Sequence, residues 1–171
     1  MLDASKRHPE LTAQIVPYPG TFKVDSTVQE LIASGYLGDL VAIELRATQG
    51  RFPDPGGPLH WRQDRDVSGY NLLNMGMWYE ALMRWVGPAT EVTAMTQVTV
   101  PQRRDAAGAA RAITVPDHAD VLCRMAGGAQ AHLAFSTVTG LGGSNHAWLF
   151  GTAGTLYFDG ATTTLWRGSQ G

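Results

Sequence analysis

LHWRQDRDVSGYNLLNMGMWYEALMRWVGP, residues 59–88, divides the chain into two kinds of pattern. It opens with a polar, charged approach segment and passes through Ser68-Gly69. From about Asn71 to Val86, Leu72, Met75, Tyr79, Leu82, Met83 and Val86 then recur at three- and four-residue spacing. That period predicts an amphipathic helix. Gly87-Pro88 stops it, because glycine supplies the left-handed residue after a helix and proline cannot continue one.

After Pro88 the period changes from helix to strand. Val92–Val100 and Ala119–Met125 alternate, Gly127-Gly128 signals a hairpin, and Ala131–Val138 returns. Ala147–Phe150 and Thr155–Phe158 flank a second turn at Gly151–Gly154, and Thr163–Arg167 reads as a last short strand. Before residue 59, Met1–Pro9 reads as the end of a helix, and Leu11–Pro17 as a short strand. Val28, Leu31 and Ile32 share a helical face that Ser26 or Thr27 can cap and Gly35 can end. Leu40–Thr48 alternates as a strand, and Gly50–Pro58, with Pro53, Pro55 and Pro58, is a loop. Strand, helix, strand, loop, helix and then an antiparallel series make an α+β fold: a mostly antiparallel sheet with helices packed on one face. The other sheet face carries Thr93, Thr137 and Thr139, with Trp148, Phe150 and Phe158 available. Such a face predicts a homodimer or higher homo-oligomer.

The chain has 171 residues, 44% of them hydrophobic and 16% charged, enough for one real core. A formal net charge of −2 offers no broad attraction to nucleic acid or an anionic membrane. Cys123 is the only cysteine, so an intrachain disulfide is excluded, and its place in an apolar alternating run predicts a buried thiol. A reducing, cytoplasmic setting is the expectation. The five histidines (His8, His60, His118, His132, His146) lack metal-site spacing. GLGGS at 140–144 lacks the lysine and following helix of a phosphate loop, and no dinucleotide-binding glycine fingerprint is present.

The candidate site is the cluster Trp61, Arg62, Asp64, Arg65, Asp66, Asn71, Asn74, Trp78, Tyr79 and Glu80. Arg62 offers a fork of donors and Asp64 an acceptor for polyol hydroxyls. Trp61 or Trp78 offers a flat face to a sugar ring, Asn74 belongs to the substrate-binding set, and Tyr79 is the candidate acid/base. The competing reading makes Arg62 and Asp64 loop anchors and Trp78 and Trp85 core residues.

WRQD, SGYN, GMWYEA and RWVGP, followed by LFGTAGTLYFDG, stand in an order that resembles the second domain of the Gfo/Idh/MocA oxidoreductases. The opening MLDASKRHPELTAQIVPYPG resembles the last helix and strand of that family's nucleotide-binding domain, and VQELIASGYLGDL the entry to the second domain. The resemblance implies residues 1–25 as a remnant of the nucleotide domain and 26–171 as a substrate and oligomerisation domain. It implies NAD or NADP in a full-length protein, with no cofactor held by this chain, and a sugar-like small molecule as substrate. Two features depart from the family pattern. The family's Glu-Lys-Pro lysine has no counterpart, and in Gly-x-His-x-x-Asp counted from Gly76, Trp78 stands at the histidine and Ala81 at the aspartate. The resemblance therefore implies either the substrate side of a dehydrogenase that is inactive alone, or a non-catalytic dimerisation or sugar-binding module.

Overall fold

The computed structural model describes residues 2–13, 22–72 and 75–169. Helix α1 (Leu2–Arg7) precedes α2 (Asp25–Ala33), and β1 (Leu40–Thr48) leads into a long loop. A 3-10 turn (Trp61–Gln63) and the short α3 (Arg65–Ser68) break that loop before α4 (Met75–Val86). There follow β2 (Ala89–Gln97), the small hairpin β3 (Gln102–Arg104) and β4 (Ala110–Ala112), then β5 (His118–Met125), β6 (Gln130–Ser136), β7 (Ser144–Gly151), β8 (Gly154–Asp159) and β9 (Thr164–Ser169). The strand expected over Leu11–Pro17 lies mostly outside the described residues, and Leu11–Ala13 are not strand.

Seven strands form one sheet in the order β2-β5-β6-β1-β7-β8-β9. Every neighbouring pair is antiparallel except β1 and β6, which run parallel with Leu45 opposite Leu133. Alternation sends one side chain in two to each face. Ile43 and Leu45 from β1, Leu133 and Phe135 from β6, Leu149 from β7 and Leu156 and Phe158 from β8 are all buried together. Helices α2 and α4 cover that face with Val28, Trp78, Ala81, Leu82 and Trp85.

Asp25 ties the two helices together. Its carboxylate accepts from Arg84 Nε at 3.1 Å and Nη2 at 2.8 Å, and from Trp85 Nε1 at 2.8 Å. The expected cap at Ser26 or Thr27 is replaced: the residue before α2 is Val24, with no side-chain cap bond. Gly35 and Gly87 do end their helices, with φ of +75° and +83°.

Among the described residues no helix covers the opposite sheet face. One row crosses all seven strands in register: Thr93, Leu122, His132, Glu44, Trp148, Tyr157 and Trp166. Its β7–β9 half is aromatic. Trp148 stacks on Phe150 at 5.6 Å, and Tyr157 packs on Trp148 at 4.3 Å and on Trp166 at 5.3 Å. Two residues expected on this open face are elsewhere: Phe158 belongs to the core and Thr137 is buried at the end of β6.

Candidate functional site: the loops at one end of the sheet

The long loop after β1 lies over the end of the sheet where β1 and β6 finish. Gln49 N donates to Ser136 O, and Phe52 N to Thr137 O, both at 2.9 Å. Thr48 Oγ1 donates to Gly142 O at 2.9 Å and accepts from Ser144 N at 3.1 Å, tying β1 to the turn before β7. At Gly50 a Cβ would fall on the Gly140 carbonyl, so only glycine lets the two loops touch there.

His60 begins the 3-10 turn. Its Nδ1 accepts from Arg62 N at 3.3 Å, and Gln63 Oε1 accepts from His60 N at 3.1 Å, a reciprocal capping box. Burial, with Arg51 and then Arg62 nearby, holds the His60 pKa below its ordinary 6.5. Arg62 lies over the exposed Trp61 ring, 4.1 Å from the centroid. Arg65 lies over the exposed Tyr70 ring at 4.4 Å. Two cation–π pairs thus stand close together in the chain on an exposed loop.

Asp64 anchors this loop. Its Oδ1 accepts from Asp66 N at 3.0 Å and caps α3, and its Oδ2 lies 3.8 Å from Arg111 Nη2 on β4. Ser68 Oγ donates to the carbonyls of Arg62 and Asp64 at 3.0 and 3.1 Å. The anchoring side of the sequence expectation describes Asp64, while Trp61 and Arg62 present outward surface.

Trp78 goes into the core instead of offering a ring face. It is 1% exposed and packs on Phe22 at 4.8 Å and Phe158 at 5.9 Å. A Cβ at Gly160 would come within 2.9 Å of its ring, so Gly160 makes room for it. Ala81 is wholly buried. Tyr79 is a clamp: its hydroxyl oxygen accepts from Ala89 N at 3.0 Å, joining α4 to the start of β2. Asn74 lies outside the described residues. No group of three or more His, Cys, Asp or Glu among the described residues is placed to hold a metal. Cys123 is buried, and burial pushes its thiol pKa up.

One polar cluster was only partly legible in the sequence. His118 Nε2 and His132 Nε2 lie 3.0 and 3.1 Å from the two oxygens of Asp120 on the open sheet face. Burial raises the Asp120 pKa, but the bonds to His132 and His118 outweigh it and hold the carboxyl below its ordinary value. The His118-x-Asp120 spacing on one strand face was visible, but not the arrival of His132 from β6.

A family model described as the GFO/IDH/MocA C-terminal domain matches residues 26–157. The chain belongs to the Gfo/Idh/MocA family. Solved oxidoreductase structures superimpose over most of it. An oxidoreductase domain protein from Kribbella flavida shares 25% identity, with a TM-score of 0.76 over 85% of this chain and 40% of that one. An NAD-binding oxidoreductase from Klebsiella pneumoniae shares 23%, with a TM-score of 0.80 over 98% and 46%. Levoglucosan dehydrogenase in complex with NADH and L-sorbose shares 21%, with a TM-score of 0.75 over 83% and 39%. The chain spans less than half the length of each. No curated protein matches it.

Proposed function

We propose that this chain is the substrate-side and oligomerisation domain of an NAD(P)-dependent oxidoreductase acting on a sugar or polyol, and that it is inactive alone. The observation that carries this is the match of residues 26–157 to the family's C-terminal domain, in a chain that covers less than half of its solved relatives. The hydride donor and its pyrophosphate-binding helix would come from a nucleotide domain, to which we assign residues 1–25. That cofactor supplies the redox chemistry when bound. This chain's own part is to orient the substrate. Trp61 offers a ring face and Arg62 a donor fork from the exposed loop, with Asp64 holding that loop in place. The open sheet face, with its aromatic half, supports self-association of the domain in a cytoplasmic protein.

A second reading is favoured by one specific feature. The two positions where the family carries its histidine and aspartate are filled by buried Trp78 and Ala81. No proton carrier stands there, which suits a non-catalytic dimerisation or sugar-binding module. Titration of the purified chain with NAD(H) and NADP(H), with its mass followed by light scattering, tests the main reading. Absence of nucleotide binding together with a stable oligomer is the expected result. Micromolar nucleotide binding, or hydride transfer by this chain alone, overturns it. The second reading is upheld if joining the chain to a competent nucleotide domain restores cofactor binding but no turnover.

A further inference from the structure

Arg103 is the one lysine or arginine among the described residues that is buried, at 3% exposure. Its Nη1 donates to the carbonyls of Asp54 at 3.0 Å and Gly57 at 3.2 Å, and its Nη2 to Phe52 O at 2.7 Å. Its Nε is buried and has no hydrogen-bond partner among the described residues. Among the described residues no carboxylate oxygen lies within 4.0 Å of the guanidinium. Carbonyls satisfy donors but bring no net charge, and a buried cation without a counter-ion is costly.

That side chain lines a cavity of about 280 Å³ together with Arg51, Phe52, Asp54 and His60. The Phe52 ring has a guanidinium near it from each arginine, Arg51 at 5.3 Å and Arg103 at 5.8 Å. His60 Nδ1 is taken by the Arg62 amide, so the neutral ring carries its proton on Nε2, a further donor. Asp54 is the only acid in the lining, and its Oδ1 already accepts from Gly56 N at 2.8 Å. At Gly57 a Cβ would meet Arg103 Nη1 at 2.9 Å, so glycine lets the loop close on the guanidinium.

We propose that this cavity is an oxyanion site, taking the carboxylate or the phosphate of a small polyol-like molecule beside Arg103 and Arg51. Two guanidinium groups and an imidazole line the cavity, and their positive charge and N–H donors are the chemistry that recognises such a group. The ligand supplies the counter-charge that none of the described residues brings within 4.0 Å of Arg103. The site rests on Arg103 and its cavity, and it stands whether or not the chain ever joins a nucleotide domain.

The test titrates the intact chain, at low ionic strength, with inorganic phosphate, D-gluconate and D-glucitol, by calorimetry and by the arginine Nε–H resonances. Phosphate or gluconate is expected to bind saturably and to move the Arg103 Nε–H signal, while neutral glucitol does not. Tighter phosphate points to a phosphate ester, and tighter gluconate to a sugar acid. Arg51 is exposed, so Arg51→Gln should keep the thermal midpoint and weaken oxyanion binding about tenfold. The proposal is overturned if neither anion binds below about 10 mM, if glucitol binds equally well, or if Arg51→Gln leaves affinity unchanged.

Discussion

Replacing Asp25 with alanine removes one carboxylate that serves three donors between α2 and α4. Trp85 is 4% exposed, so its indole N–H loses its acceptor where water does not reach, costing about 1–3 kcal/mol. The Arg84 side chain is 28% exposed and has Glu80 at 3.8 Å, so it keeps solvent and a weak partner. Its loss is about 1 kcal/mol, the scale of a partly exposed pair. The sum is about 2–4 kcal/mol, somewhat less than the roughly 3–5 kcal/mol that breaking a fully buried pair costs. For a chain of this length that lowers the thermal midpoint by about 4–16 °C. Equilibrium unfolding in urea, followed by tryptophan fluorescence, reads it directly. Asp25→Asn keeps an acceptor for the indole and should lose less. A loss below about 0.5 kcal/mol for Asp25→Ala, with the urea slope unchanged, would refute the reasoning, because it would mean that the helix pair is held without this contact.

Three further outcomes follow from the site. Gly160→Ala pushes a methyl into the buried Trp78 ring and should destabilise by about 1–3 kcal/mol in the same urea assay; Gly160→Ala combined with Trp78→Phe should recover part of it. Tyr79→Phe removes the acceptor for Ala89 N and should cost about 0.5–1.5 kcal/mol of stability; if the phenol instead carried a proton in catalysis, a reconstituted enzyme would slow by about a hundredfold or more, which the clamp role does not predict. His60 and His146 both have pKa values held below 6.5, each chiefly by burial, helped by Arg51 and Arg62 for His60 and by Arg46 for His146. The unfolded chain then binds more protons than the folded one below pH 6.5, so stability should be full above that value and fall as pH drops through the lowered values. Unfolding midpoints that stay flat from pH 7 into the carboxylate range, or imidazole titrations at 6.5 or above, would contradict this.

How far the sequence carries can be judged residue by residue. The glycine stops at Gly35 and Gly87, the alternation of β1 and β5–β8, and the helix ending before Pro88 follow from local rules, and each is in place. Asn71 and Leu72, expected to open α4, lie outside it, and the segment before them holds a 3-10 turn and the four-residue α3, both too short for a periodic signal. The hairpin β3–β4 was missed for the same reason, with three residues in each strand.

The site divides along the same line. Trp61 and Arg62 are chain neighbours, and a loop rich in polar residues leaves them outward by composition alone. The fate of Trp78 was not readable, because helix period places it on a face without saying what the sheet brings against that face. Phe22 and Phe158 come from distant parts of the chain. The pairing of Asp25 with Arg84 spans 59 residues, and that of Arg103 with Phe52 spans 51. By itself the sequence determined the types of the longer elements, their order and the family, because backbone propensity and side-chain period act over a few residues. Only the tertiary structure decided the parallel β1–β6 pair, the burial of Trp78 and the carbonyl cage around Arg103. Each of these depends on the register of segments far apart in the chain, which no local pattern encodes.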